Sequence, residues 1–429
     1  MHWTHDAHPG RGVRLAYCLN LHAADDLDGT IAGMRAVTLP LRDRLAQGRP
    51  FGVGVYLPDP VARELATPER PRPGPALERL ARFFADEGLA PFTFNAFPYG
   101  GFHREGLKES VYRPTWLEAD RVRFTCAVAQ AAAYFATATA ATPSHVSIST
   151  HPGTYGAWVT GPEDLEQCAR NMGACVLTFA RIEAGGGPRI VLSLEAEPLA
   201  SAGDSAELAE FLALARPIVA AVVAADGAWS ASAARTLATR HLGTCLDCCH
   251  SAVEFEAPAQ ALALATRAEG PLGKLQFSSA LALPRPAAAP EARGHLVAMA
   301  EPVYLHQVTG RAGARRLHCA DLPELDAALA RDGSEWLECD EWRCHFHVPV
   351  DLDHVGGLST TRAHADAILA AALGSPERWG TPDLHVEIET YTWDILPGPA
   401  RGAGDLVDGL EREYTHVIAQ IESSGWKRA

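Results

Sequence analysis

The sequence predicts an α/β fold in which parallel strands close into a (β/α)8 barrel. Short apolar runs typical of strands alternate with longer runs rich in Ala and Leu, and this alternation occurs eight times. Eight units at this spacing favour a closed barrel over an open sheet. No Gly-x-Gly-x-x-Gly follows the first strand, which argues against an open dinucleotide-binding sheet. Such barrels often exceed the usual domain length, so residues 1–429 are predicted to form a single domain.

The predicted elements follow this alternation along the chain. Eight apolar runs are predicted strands: 14–22, 51–58, 91–100, 145–153, 189–198, 242–250, 273–281 and 384–393. The segments between them predict helices over 25–47, 76–88, 118–140, 162–184, 205–223, 230–239, 254–268 and 360–373. A further helix, at about 402–425, is expected to pack on the outside of the barrel.

One segment does not fit the plain repeat. About eighty residues separate Leu281 from Thr360, and they contain two more strand-like runs, 301–310 and 341–350. The stretch 283–294, rich in Pro and Ala, resembles a flexible entry to this region. We interpret about 282–359 as an insertion between strands seven and eight. Its two strand-like runs predict a hairpin folded over the barrel mouth.

Composition limits the possible partners and location. Lys and Arg number 37 against 52 Asp and Glu, and the net charge of −15 argues against nucleic-acid binding. The N-terminus has no apolar segment of the secretory kind, and the apolar stretch near 211–227 is interrupted by Arg216 and Pro217. We therefore expect a cytoplasmic protein with reduced thiols and no membrane-spanning segment, whose partner is a small molecule.

Acidic residues at three strand ends predict a metal site. In a barrel of this kind, functional residues lie at the C-terminal ends of the strands, where strands five, six and eight place Glu195, Asp247 and Glu389. Three bare carboxylates would repel one another, so a divalent cation (Mn, Mg, Zn or Fe) is their natural partner. Glu195 and Glu389 are also the candidates to move a proton. An ion pair at a strand end is the alternative for both.

The stretch HLGTCLDCCHSAVEFE, residues 241–256, offers a choice between thiols and an Asp–His pair. No repeated Cys-x-x-Cys has zinc-ribbon spacing, so the thiols of Cys245, Cys248 and Cys249 are interpreted as small buried groups. Asp247 and His250 lie three positions apart where strand six turns into a helix, so both side chains can face the mouth. These two are predicted to be the functional pair.

Further polar residues complete the predicted site. His347, from the insertion, is a candidate fifth metal ligand. For His345 and His347, a structural or solvated position is an equally open alternative to a ligand role. For His151, an exposed position in a turn is an equally open alternative to a role in the site. The predicted substrate-binding residues lie at other strand ends or in the insertion: Asn20, His22, Asn95, His151, Gln276, His306 and His345.

Two resemblances follow from the motifs. CLDCCHSAVEFE resembles the strand-six signature of the xylose-isomerase-like TIM-barrel superfamily, which includes sugar isomerases, epimerases and nucleases of the endonuclease IV type. The resemblance implies a divalent metal held by the Asp-x-x-His pair and by Glu on strands five and eight. Many epimerases have a metal-binding His where this chain has Gln276, which leaves His347 or His306 as a replacement.

A second resemblance covers the chain from residue 17 to 393. It rests on motifs that occur in order: YCLNLH, FTFNAFPYGGFH, LKESVYRPTW, SIST, HLGTCLDCCHSAVEFE, LQFSSAL, EPVYLHQV, HFHVPV and VEIETYTW. Together they resemble the EboE family, the metabolite-traffic proteins of the ebo gene cluster. The resemblance implies a xylose-isomerase-like barrel that works with other proteins of that cluster on a lipid-linked or secondary-metabolite precursor.

Three functions remain open at this point. The first is a metal-dependent isomerase- or epimerase-like enzyme acting on a small sugar-like molecule. The second is a phosphodiesterase related to endonuclease IV, with several zinc ions bound by His151, His250, His345 and His347. The third is a non-catalytic metabolite carrier. Metal content separates them: one ion favours the first, two or three favour the second, and none favours the third.

Overall fold

The computed structural model describes residues 1–66, 73–139, 143–267, 270–396 and 403–429, and its centre is a sheet of eight parallel strands. Each strand pairs with its neighbours in chain order, and the eighth pairs with the first. The first and second strands meet at one parallel bridge, between Cys18 and Gly54. This order is that of a (β/α)8 barrel. The eight strands are Gly12–Tyr17, Phe51–Tyr56, Leu89–Asn95, Val146–Thr150, Ile190–Glu195, Leu242–Asp247, Leu272–Phe277 and Asp383–Ile388.

Helices surround this sheet, as the alternation predicted. They are Leu27–Gly33, Leu39–Leu45, Asp59–Leu65, Pro75–Asp86, Ala119–Ala138, Pro162–Ala184, Ser205–Ala225, Ala231–His241, Cys248–Val253, Pro258–Ala265, Arg362–Leu373 and Ala403–Ser423. The predicted helix ends at residues 140, 268 and 402 lie outside the described residues. The prediction of strand over 242–250 was too long, because Asp247 ends the strand. Its side chain accepts the N–H of His250 and so begins the helix Cys248–Val253.

Glycines allow the first two strands to approach each other at the barrel seam. A Cβ atom at Gly54 would lie 1.7 Å from Oε1 of Glu387 and 2.9 Å from the carbonyl oxygen of Tyr17. A Cβ at Gly52 would lie 2.2 Å from the carbonyl oxygen of Leu15. The second strand therefore contacts its neighbours with bare backbone at these two positions, and a side chain there would push the seam apart.

We expect Gly54→Ala to destabilise the protein by about 1–3 kcal/mol or more, because the added methyl has no space at the seam. Gly294→Ala is the matched control, since among the described residues nothing lies within 4 Å of a Cβ built there. Gly294 is in the helix Pro290–Ala298, where Ala is favoured over Gly by up to about 1 kcal/mol. Denaturant midpoints measure both effects, and equal midpoints for the two variants would contradict this account of the seam.

An antiparallel sheet occupies the region between the seventh and eighth barrel strands. It has six strands, which makes it larger than the predicted hairpin. The predicted strand 341–350 ends at Cys344, and the run 301–310 becomes strand only at Val308. In spatial order the strands are Arg315–Cys319, Val308–Ala312, Glu341–Cys344, Leu281–Pro284, Leu358–Thr360 and His354–Val355. Helices Pro290–Ala298, Leu322–Arg331 and Ser334–Leu337 accompany the sheet.

The antiparallel sheet packs around its own apolar core, which explains why this region exceeds a hairpin. Trp342 and Phe346 are fully buried there, and Leu281 and Val308 pack in the same cluster. The indole of Trp342 donates a hydrogen bond to the carbonyl oxygen of Trp336 at 2.8 Å. The barrel and this sheet thus have separate hydrophobic clusters that meet at the C-terminal ends of the barrel strands.

One described helix, Ser205–Ala225, is apolar and long enough to span a membrane by length and composition. Arg216 and Pro217 interrupt the apolar run, but the helix predicted over 205–223 continues through Pro217. Within the fold this helix connects the fifth and sixth strands and buries Leu208, Leu212 and Val219. The core helix of a globular domain has the same features, so the helix is weak evidence for membrane insertion.

Candidate metal centre

Three buried carboxylates converge at the C-terminal end of the barrel. Glu195 ends the fifth strand, Asp247 ends the sixth, and Glu389 follows the eighth. One oxygen atom from each of the three lies within 4.8 Å of the others. Segments far apart in the sequence meet here because parallel strands in a barrel end at the same mouth.

The surrounding groups satisfy only part of this cluster. Oδ1 of Asp247 accepts hydrogen bonds from the N–H of His250 and from Oγ of Ser278, each at 2.8 Å. Within the described part of the chain, Oδ2 of Asp247 and Oε2 of Glu195 are buried without a hydrogen-bond partner. Unpaired buried carboxylate oxygens are costly, so these two atoms call for a cation or a proton.

Amide side chains fix the third carboxylate. Oε1 of Glu389 accepts from the amide nitrogens of Asn20 at 2.6 Å and Asn95 at 3.1 Å. Oε2 of Glu389 accepts from the amide nitrogen of Gln276. Three predicted substrate-binding residues thus surround Glu389 and hold its orientation.

Two imidazoles face each other beside the carboxylates. Nδ1 of His250 lies 2.9 Å from the carbonyl oxygen of Ala196, and Nδ1 of His347 lies 3.1 Å from the carbonyl oxygen of Glu389. A carbonyl oxygen can accept a hydrogen bond but cannot donate one. Both Nδ1 atoms must therefore carry the hydrogen. In the neutral rings both Nε2 atoms then present lone pairs to each other, and they are 3.3 Å apart. A proton or a metal ion between them removes this conflict.

Burial and mutual repulsion shift the acid–base properties of these groups. Burial, with Asp247 and neighbouring carboxylates, raises the pKa of Glu195 well above its usual value and that of Glu389 to about 8. Burial alone would lower the pKa of His250, but Asp247 and its acidic neighbours raise it to about 10. Without a metal, His250 therefore holds the extra proton, which a bound cation would replace.

The donor set fits a divalent metal. Three carboxylates and two imidazoles are ligands suited to Mn²⁺, Mg²⁺, Zn²⁺ or Fe²⁺. Their open atoms face one another, and each imidazole is oriented by a backbone carbonyl in the manner usual for metal ligands. The residues that would hold the ion are Glu195, Asp247, His250, His347 and Glu389.

A second group of donors adjoins the first. One ligand atom each from Glu197, His250 and His345 lies within 4.8 Å of the others. Nε2 of His250 is 3.2 Å from Oε2 of Glu197, and Nδ1 of His345 is 2.6 Å from Oε1 of Gln307. The sequence-based prediction omitted Glu197. Residues 195 and 197 can both point into the barrel, and Glu195 was preferred because it lies deeper along the strand.

Three other predicted residues, His22, His151 and His306, are absent from the lining of the pocket above the donors, within the part of the chain that the structure describes. The ring of His22 bonds to the hydroxyl of Tyr17 at 2.8 Å. Both nitrogens of His306 are occupied, by the carbonyl oxygen of His345 and the carboxylate of Glu301, each at 2.9 Å. These two histidines therefore make structural contacts within the fold, and their predicted substrate role stays a prediction.

His151 is also outside the pocket lining. It is fully buried, and its ring centroid lies 5.0 Å from that of Phe97 and 5.7 Å from that of Tyr112. Among the described residues neither ring nitrogen has a hydrogen-bond partner. The alternative of an exposed turn is therefore excluded, and the ring packs beside two aromatic side chains that line the pocket.

A pocket opens directly above the donors. Its cavity volume is about 60 Å³. Its polar lining consists of Asn20, Asn95, Glu195, Glu197, His250, Gln276, Gln307, His345, His347 and Glu389, and the rest of its lining consists of Phe97, Pro98, Phe102, Leu107, Lys108, Val111, Tyr112, Val303, Tyr304, Leu305 and Tyr391. Sequence reasoning missed the contribution of residues 303–307, because the fold of this segment over the mouth has no local signal.

We expect the variant Cys248→Ala with Cys249→Ala to keep its metal content. Sγ of Cys249 lies within 4.8 Å of nitrogens of both His345 and His347, so this thiol is the one near enough to matter. Burial raises its pKa well above the usual value, and the carboxylates and imidazoles supply enough donors without it. Elemental analysis of the purified variant measures the outcome. Loss of metal with the fold intact would identify a thiolate ligand.

Comparisons with known proteins add little to this geometry. No family model matches the chain, and no curated protein matches it. A solved structure titled "Structure of L-ribulose 3-epimerase" aligns over 96% of this chain and 95% of that chain, with a TM-score of 0.42 and 11% sequence identity. A likeness at this level says nothing about activity. The EboE resemblance is not shown by these comparisons and stays a prediction.

Proposed function

We propose that the protein is a xylose-isomerase-like, metal-dependent enzyme that acts on a small molecule with neighbouring oxygen atoms, by isomerase- or epimerase-like chemistry. One observation carries the proposal. Among the residues that the structure describes, buried oxygens of Glu195 and Asp247 have no hydrogen-bond partner, and Asp247 also groups with two imidazoles whose Nε2 atoms face each other at 3.3 Å. Such a cluster is costly to bury without a cation and sits beneath a pocket at the functional end of a barrel.

The metal would be held by Glu195, Asp247, His250, His347 and Glu389. When bound, it supplies polarisation of a carbonyl or of two adjacent hydroxyl groups. Three amides hold Glu389, so its role is to bind in a fixed orientation. Oε2 of Glu195 accepts no hydrogen bond within the described residues, so this oxygen is the better placed to take up a proton from the substrate.

The first test is elemental analysis of the full chain purified without chelators and without a metal-affinity column. We expect about one equivalent of a divalent metal. The second test is incubation of the metal-loaded protein with α-hydroxy ketones and α-hydroxy aldehydes in deuterated water, where deuterium at the carbon next to the carbonyl reports proton removal. A protein that neither contains nor takes up a divalent metal would exclude this function and leave the carrier role.

A metal-dependent phosphodiesterase related to endonuclease IV is the second candidate. The group Glu197, His250 and His345 favours it, because it offers donors for another ion beside the first. Of the four histidines expected to bind zinc in such a site, His151 lies apart from the donors. Two or three metals per chain, with hydrolysis of a small phosphodiester, would support this candidate over the first.

The cellular role rests on the EboE resemblance alone. On that basis we propose a cytoplasmic protein that handles a sugar-like or secondary-metabolite precursor together with other proteins of the ebo cluster. Co-purification of those proteins with the tagged chain from its native cells tests this proposal, and their absence from the eluate would contradict it.

A further inference from the structure

The pocket above the metal donors has two chemically different sides. We call the carboxylates, the imidazoles and the amides, Gln307 included, the floor of the pocket, and the lining residues of segments 97–112 and 303–305, with Tyr391, its roof. The roof is largely apolar and aromatic: Phe97, Pro98, Phe102, Leu107, Val111, Tyr112, Val303, Tyr304, Leu305 and Tyr391. A pocket for a molecule with hydroxyls along its whole length would need hydrogen-bonding groups on both sides.

The few polar groups of the roof are already occupied. The hydroxyls of Tyr112, Tyr304 and Tyr391 bond to the carbonyl oxygen of Pro198 and to the rings of His103 and His345. In each of these bonds the tyrosine O–H is the donor, so the three hydroxyls have no donor left for a ligand oxygen and can only accept a hydrogen bond from a ligand. A hydroxyl group buried under the roof would therefore lose its bonds to water and gain few in return.

Lys108, the cation of the roof, is committed in the same way. Its Nζ donates to the carbonyl oxygens of Glu301 at 2.7 Å and Tyr304 at 2.6 Å, and it lies 2.6 Å from Oδ2 of Asp321. An ammonium group has three donors, and all three are used. Lys108 therefore braces the segment that forms the roof and has no donor left for an anionic substrate.

The aromatic rings of the roof form a continuous surface. The centroid of Phe102 is 5.0 Å from that of Tyr391 and 5.4 Å from that of Tyr304, and Tyr304 and Tyr391 are 5.0 Å apart. Tyr391 in turn stacks on His347, with centroids 4.6 Å apart. Rings at these separations favour a flat apolar group as a further partner.

We propose that the substrate has one oxygen-bearing end, which meets the floor, and a compact apolar body of about the size of a ring, which lies under the roof. This inference rests on the proposed metal-dependent function and narrows its substrate class. It excludes molecules that carry hydroxyl groups along their whole length. Unpartnered oxygens on the floor and occupied polar groups on the roof are the two observations that support it.

Three hydroxamates test the inference, because each has the same two-oxygen end that chelates a divalent metal. Acetohydroxamate carries a methyl group, benzohydroxamate a phenyl ring, and 2,3,4-trihydroxybutanohydroxamate a hydroxylated chain. Calorimetric titration of the metal-loaded full chain should show benzohydroxamate binding at least about tenfold more tightly than either other compound. Equal or tighter binding of the trihydroxy compound would overturn the inference.

A roof variant and a matched control complete the test. Leu305→Ser places a hydroxyl in the roof and should reduce the preference for benzohydroxamate several-fold without changing metal content. Leu214→Ser, at a leucine exposed on the helix Ser205–Ala225, should leave the preference unchanged. Bound metal with equal affinities for all three hydroxamates would sink the inference alone, whereas a protein that takes up no metal would sink the proposed function as well.

Discussion

Asp247→Asn should weaken divalent-metal binding by at least about 10- to 100-fold, the effect typical of losing even a supporting contact in a metal site. Oδ1 of the Asn can still accept from the N–H of His250 and from Ser278, so the helix start is preserved. The unpartnered Oδ2 becomes an amide nitrogen, which repels a cation and removes one negative charge. Titration of the metal-free protein with Mn²⁺ or Zn²⁺ measures the change.

Glu183→Gln is the control for Asp247→Asn. Glu183 pairs with Arg240 near the end of the helix Pro162–Ala184, at the end of the barrel opposite the mouth. Glu183→Gln removes one negative charge, as Asp247→Asn does, but far from the cluster. It should leave metal affinity unchanged. If Asp247→Asn binds metal as tightly as the unchanged protein, the carboxylate cluster does not hold a cation.

Lys274→Met should destabilise the protein by about 3–5 kcal/mol, because it leaves a buried carboxylate without its counterion. Lys274 and Glu387 are both fully buried in the barrel and form an ion pair, and Nζ of Lys274 also donates to Oγ of Ser149 at 2.9 Å. Burial favours the neutral amine, but Glu387 offsets this and holds the pKa of Lys274 above its usual value. Denaturant unfolding of the single variant measures the cost.

Replacing both members of the pair separates this cost from a simple loss of packing. In the double variant Lys274→Met with Glu387→Leu, no unpaired charge remains, so most of the stability should return. The space beside Glu387 is limited by the backbone of Gly54, and Leu has a similar volume. A double variant as unstable as Lys274→Met would mean that shape, and not charge, accounts for the effect.

The convergence of the carboxylates could be predicted from the sequence because it follows from fold class. Once eight βα units are recognised, strand ends must meet at one mouth, and Glu195, Asp247 and Glu389 lie at strand ends. Alternation puts Glu387 and Glu389 on the same face, and their positions along the chain distinguish them, because the more C-terminal acid is nearer the mouth. Glu387 pairs with Lys274 inside the barrel, and Glu389 lies nearer the mouth among the other donors.

The remaining details depend on contacts that no local pattern encodes. His306 and His345 look alike in the sequence, but His306 stacks on Phe346 with centroids 3.7 Å apart, whereas His345 lines the pocket. His345 and His347 both lie among the donors although the strand ends at Cys344, because the backbone N–H groups of His345 and Val348 still bond to neighbouring segments, each at 2.9 Å. The size of the antiparallel sheet depends on pairings between distant segments, which composition alone does not reveal.

The donors belong to two separately packed bodies, and this has a consequence for the folding of the molecule. Glu195 and Asp247 come from the barrel, whereas His345 and His347 come from the segment that continues the antiparallel sheet. A bound ion would therefore act as a cross-link between two hydrophobic cores, as a disulfide does between two loops. Removal of the ion should make residues 281–360 susceptible to proteolysis before the barrel is cut. The resistance of this segment to limited trypsin digestion would then report how much of the protein has metal bound.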